Sequence, residues 1–129
     1  MNTKLSEESL SYFYGTENYY RHALNKNLLY TDGVQYVAEE GKAYWLIDIV
    51  ASVTSCFVVD SDDFTTWTLT KDKEKAYNKE LDTQCDAVVI CDDGNGKELY
   101  KQYIEYTDFP LDNLEMFLIQ GVLMLASEY

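Results

Sequence analysis

In 129 residues the chain has one proline, one histidine, one arginine and six glycines. Each scarcity removes a class of protein. So little proline and glycine, with 47% hydrophobic residues, excludes low-complexity and disordered compositions. Three cysteines, Cys56, Cys85 and Cys91, form an odd set without a CxxC spacing, against both a disulfide framework and a structural zinc site. The lone histidine, His22, restricts metal and triad chemistry. The phosphate-cradling GxxxxGK[ST] and GxGxxG, the GxSxG nucleophile elbow and the HExxH zinc helix are all missing. Nothing in the sequence points to an enzyme, and no cofactor or metal is implied. No run approaches the roughly 20 apolar residues of a membrane span, and MNTKLSEESL lacks the basic start and apolar stretch of a signal peptide. A cytoplasmic protein is expected.

Positive charge is the deepest deficit. Ten lysines and arginines stand against 23 acids, a formal net charge of −13. Such a field repels phosphate backbones and anionic headgroups, which disfavours direct nucleic-acid or membrane-surface binding and favours a basic protein surface or a divalent cation. The imbalance is greatest from Glu80 onward.

What is present is enough for one core. A chain of this length buries about two thirds of its unfolded surface, so residues 1–129 are read as one domain. Leu5 to Phe13 reads as a short amphipathic helix with Ser6 as N-cap. Tyr19 to Leu24 and Leu28 to Thr31 read as short strands or an extended connection around a turn at Asn25 to Asn27. Val34, Val37 and Ala38 give one helical face before Gly41. AYWLIDIVASV then predicts a second helix, apolar on most sides, whose only charged residue is Asp48. FTTWTLT alternates with a period of two, one face buried and one solvated, and AVVIC reads as a central strand. Asp93-Gly94-Asn95-Gly96 signals a hairpin returning through Leu99 to Tyr106, and Gln120-Gly121 a second one between Glu115–Ile119 and Val122–Leu125. Helices first and strands after predict an α+β fold, N-terminal helices packed on a C-terminal antiparallel sheet.

YGTENYYRH at Tyr14 to His22, LYTDGVQYVAEEGKAYWLIDIVAS at Leu29 to Ser52, FTTWTL, CDDGNG, YTDFPL and the terminal SEY occur together over nearly the whole chain. In this combination the sequence resembles a family of small uncharacterised proteins scattered through bacteria, phages and mobile elements, without assigned activity, fold or catalytic residue. By analogy, that scatter implies accessory proteins acting on host defence, such as anti-CRISPR inhibitors of nuclease complexes.

Three constellations follow from the residues. Tyr20, Arg21, His22 and Asp48 offer a ligand pocket or an acid/base pair with an anion clamp. The structural alternative is a buried Asp48 bonded to Arg21 or His22, because an unpaired buried carboxylate is costly. Asp60, Asp62 and Asp63, and separately Asp92 and Asp93, hint at calcium without matching the twelve-residue loop that binds it. Finally, Asp92, Asp93, Glu98, Glu105, Asp108, Asp112 and Glu115, with some of the twelve tyrosines, could form an acidic docking face. Carboxylates spaced along a sheet edge would there imitate phosphates on a basic, nucleic-acid-handling partner, in the sharpest form an RNA-guided nuclease.

Overall fold

The computed structural model describes residues 5–56 and 63–129. Ser6 caps a single helical turn, α1 (Glu7–Leu10), its Oγ accepting the Ser9 N–H while the Ser9 Oγ accepts the Ser6 N–H. The nine-residue helix predicted there stops after one turn, but Leu10 and Phe13 still pack on the core. The next segment builds strands β1 (Tyr19–Arg21) and β2 (Leu29–Thr31), paired antiparallel. Helices α2 (Asp32–Glu40) and α3 (Tyr44–Ser55) follow, meeting at Gly41 to Ala43 near the predicted break. Then come β3 (Thr65–Thr70), a two-stranded ribbon of β4 (Tyr77–Asn78) and β5 (Thr83–Gln84), and β6 (Ala87–Asp92), β7 (Glu98–Ile104), β8 (Asn113–Ile119) and β9 (Val122–Leu125).

Seven of these strands form one sheet in the order β1-β2-β9-β8-β3-β6-β7. All neighbours are antiparallel except β2 and β9, which run parallel with Leu29 opposite Val122 and Tyr30 opposite Leu123. This overturns the expected architecture of N-terminal helices on a C-terminal antiparallel sheet. Two strands precede the main helices and extend the sheet beyond β9, which makes it mixed and dominant. The physical reason is length: β1 and β2 are three residues each, too short for a period-two pattern, and are held by pairing with a distant strand.

One sheet face carries Trp67, Leu69, Val89, Cys91, Leu114, Met116, Leu118, Leu123 and Leu125, all buried against Val34, Val37, Leu46, Ile47 and Val50 of the helices. Helix α3 turns Tyr44, Asp48, Ser52 and Ser55 outward, a polar stripe at spacings of four, four and three. On the opposite face the ribbon segment covers only the β6 side, with a small cluster of Ala76, Cys85 and Val88 flanked by Ile90 and Tyr103. Both FTTWTLT faces are therefore largely covered: Thr66 and Thr70 are buried on the side expected to be solvated. Strand β6 is penultimate rather than central, apolar on both faces because the ribbon closes the second. The two hairpins follow their turn chemistry, with positive φ at Gly94 and Gly96 in one and at Gln120 and Gly121 in the other.

Chain closure depends on one glycine. The Glu128 carboxylate accepts the Thr31 hydroxyl at 2.6 Å, the Leu125 N–H at 3.0 Å and the Gly33 N–H at 3.2 Å, so it sits at the N-terminus of α2 where backbone donors and dipole favour an anion. A Cβ on Gly33 would stand 2.4 Å from Glu128 Oε1. Any larger residue would force the Glu128 or Leu125 side chain to shift.

Candidate functional site

The register sorts the candidate residues by sheet end. One end holds Tyr19, Thr31, Leu125, Asn113, Thr70, Ala87 and Ile104; the other holds Arg21, Leu29, Val122, Thr65, Asp92 and Glu98.

At the first end, Asp32 ties the N-terminal segment down. Its carboxylate accepts the Glu17 N–H at 3.0 Å, the Tyr20 hydroxyl at 3.1 Å, the Asn18 N–H at 3.2 Å and the Asn18 side-chain amide at 3.3 Å. Thr16 completes the knot, accepting the Asp32 N–H at 2.9 Å and donating to the Asn18 carbonyl at 2.7 Å. Desolvation raises the Asp32 carboxyl, but these donors together outweigh it and hold the group below its ordinary value. The hydrogen bond to Asp32, then burial, pushes the Tyr20 phenol up. Tyr20, placed in the sequence-derived pocket, belongs to this knot, its ring stacked on Tyr30 at 5.5 Å.

At the other end His22 and Asp48 do meet, Nε2 to Oδ1 at 2.8 Å. Asp48 is not buried: it stands on the polar stripe of α3 with its side chain 66% exposed, against 10% for His22. The His22 Nδ1 accepts the N–H groups of Asn25 at 3.0 Å and Leu24 at 3.1 Å. That network assigns the ring proton to Nε2, which donates to Asp48. Neither ring nitrogen faces the adjoining 280 Å³ cleft unengaged; Asn25, Ser52 and Ser55 complete its polar wall. Arg21 is exposed and, following Tyr20 in β1, projects from the opposite face of the sheet. It joins neither pair. The four residues read as one pocket are thus divided among three places.

The seven acids do not form one stripe. Asp92, Asp93 and Glu98 cluster at the β6–β7 hairpin, where Asp92 accepts the Gly94 N–H and Glu98 pairs with Lys101 at 3.2 Å. The Asn95 and Lys97 N–H groups, bonding to Asp93, hold its carboxyl below the usual range. Glu105, Asp108 and Asp112 lie at the far end, a strand length of about 17–20 Å away. Glu115 is exposed in mid-strand opposite Thr68. At that far end the loop from Glu105 to Asp112 is fixed from below. Phe109 is buried against Gly41, Leu111 is buried too, Asp86 accepts the Thr107 N–H at 2.9 Å, and Lys71 donates to the Phe109 carbonyl. Glu105, Tyr106, Asp108 and Asp112 alternate with these anchors and face solvent, Tyr106 at 87% exposure.

The calcium expectation at Asp60 and Asp62 lies outside the described residues. Among the described residues no three His, Cys, Asp or Glu side chains converge for a metal. Burial pushes the Cys91 thiol up to about 12, and Cys85 is raised by burial, then by the charges of Glu105 and Asp86; Cys56 is exposed. Two wider clefts, of 560 and 670 Å³, flank the ribbon and mix Lys73, Lys75 and Lys79 with Glu74 and Glu80, so neither presents one sign of charge. Sequence reasoning missed Asp32, Glu128 and the anchored loop. Asp32 had a local signal, a Thr-Asp pair opening a helix; the other two depend on long-range contacts.

A family model described as a family of unknown function, DUF6876, matches residues 4–129, and the chain belongs to that family. No curated protein and no solved structure matches it.

Proposed function

We propose that this DUF6876 protein acts by stoichiometric binding, docking its anchored acidic loop on a basic surface of a nucleic-acid-handling protein. The observation that carries the reading is the alternation in residues 105–112. Phe109 and Leu111 hold the loop in the core while Glu105, Tyr106, Asp108 and Asp112 are offered outward. A loop already fixed in place pays little ordering entropy on association, and an exposed tyrosine in a loop with exposed carboxylates suits an arginine- or lysine-lined groove. The net charge of −13 adds long-range attraction to such a partner. Separation of the acids into groups replaces the single phosphate-like stripe with an end-on contact. An RNA-guided nuclease, whose nucleic-acid channel is positively charged, is the sharpest form of partner. The alternative, a ligand or catalytic site at Tyr20, Arg21, His22 and Asp48, has only the His22–Asp48 pair in its favour.

The test is capture of host proteins on the tagged chain at low and high salt, repeated with E105Q/D108N/D112N and with D92N/E98Q. A basic protein released by salt and displaced by its own nucleic acid is expected. Three rim charges at about 0.5 kcal/mol each weaken binding about tenfold in the loop variant, and the hairpin variant leaves it unchanged. Salt-independent capture, or equal binding by the loop variant, would refute the proposal.

A further inference from the structure

We propose that the cleft between the Tyr12–Glu17 segment and Asp32 is a binding site for an organic cation, a guanidinium or ammonium head. The cleft measures 420 Å³ and is lined by Tyr12, Phe13, Tyr14, Glu17 and Asp32, among others. Phe13 is its fixed element, packed on Tyr36 with ring centroids 5.0 Å apart. Tyr12 and Tyr14 are 71% and 84% exposed, and neither their hydroxyls nor the Glu17 carboxylate has a hydrogen-bond partner among the described residues. Aromatic faces and carboxylates both carry negative potential, and no basic side chain of the described residues lines the cleft. An anion is repelled there. A bare metal ion has no converging set of donors among the described residues. A delocalised or alkylated cation suits both kinds of neighbour at once, its charge against an aromatic ring and its N–H or methyl edge toward the Glu17 carboxylate, since Asp32 is already engaged by four donors.

The segment is shaped for this. Thr16 and the backbone of Glu17 and Asn18 are pinned to Asp32, so the turn that carries Tyr14 and Glu17 is set before a ligand arrives. Strand register puts the cleft at the sheet end that also holds the 105–112 loop. The docking reading bears only on the source of the cation: an arginine or lysine of the same basic partner, or a free quaternary amine.

Titration of the ¹⁵N-labelled protein with doubly capped arginine and, separately, with tetramethylammonium distinguishes the sources. Saturable amide shifts confined to Gly15 through Asn18 are expected, with Kd in the millimolar range. Glu17→Gln and Tyr14→Ala should each weaken binding by about two- to fivefold. Both side chains are exposed, so both variants fold. Tighter binding of the guanidinium supports a partner side chain, and tighter binding of tetramethylammonium a small amine. Shifts absent with both probes, reproduced by sodium chloride at equal ionic strength, or unchanged in both variants would overturn the site. The E105Q/D108N/D112N protein should keep cation binding. Failure of the unsubstituted protein to capture a basic partner, with its titration intact, therefore counts against the docking loop alone, and titration absent with capture intact counts against the cleft alone.

Discussion

The two faces of the sheet are closed by different means. On one, two helices lay Val34, Val37, Leu46, Ile47 and Val50 across Trp67, Leu118 and their neighbours, and the core cluster is large. On the other, a ribbon with two-residue strands covers Ala76, Cys85 and Val88, and beside Thr66 the ring of Phe117 packs with those of Phe64 and Tyr129. A broad apolar face makes stability cooperative, whereas a small satellite cluster under a long connection opens at lower cost. The helix face should set global stability and the ribbon face local opening.

The sharpest way to break that comparison is to delete volume on each side. Trp67→Ala removes a fully buried indole together with its hydrogen bond to Thr65, and should cost about 3–5 kcal/mol in chemical denaturation. Val88→Ala should cost about 1.5–2.5 kcal/mol, from two buried methylene equivalents and a small cavity. Equal losses would show that the two clusters are one. Gly33→Ala comes next: the new methyl must displace Glu128 or Leu125, for about 1–3 kcal/mol by the same assay. Glu128→Ala combined with it should cost little more than either change alone, since both break the same contact.

Acid titration gives a smaller effect. Asp32 has a folded-state value below that of the unfolded chain. Its contribution is complete above about pH 4, the ordinary carboxyl value, and is lost as pH falls through the depressed folded value. Asp32→Asn should flatten the acid limb of the stability curve while leaving its shape near neutrality unchanged. Thiol labelling perturbs the fold least. Under native conditions Cys56 should react first, Cys85 beneath the ribbon second and Cys91 beneath the helices last, as read by mass spectrometry of tryptic peptides. Simultaneous labelling of Cys85 and Cys91 would mean that the ribbon does not open alone.

Local chemistry was legible where it decides local structure. Gly94, Gly96 and Gln120-Gly121 fixed two hairpins, and the apolar spacing fixed α2, α3 and the break between them. The four-residue spacing of Tyr44, Asp48 and Ser52 already marked a solvent stripe, so exposure of Asp48 was readable and was outweighed by the apolar surroundings. The parallel pairing of β2 with β9 was not readable, because three-residue strands carry no period and their partner lies far along the chain. For the same reason the sequence could not tell which acids share a sheet end. That follows from register, a tertiary property.

The bond between Thr31 and Glu128 joins residues 97 positions apart. Its consequence lies in the order of assembly. On the ribosome, the β1–β2 hairpin and α2 emerge with their lateral partner β9 and their capping carboxylate still unsynthesised. At the usual 5–20 residues per second, several seconds pass before β9 exists. Closing so long a loop must precede the contacts that reward it, which places this chain among topologies that fold slowly for their size. During that interval the apolar side of α3 lacks the strands β3, β6, β8 and β9 that it packs against in the folded protein.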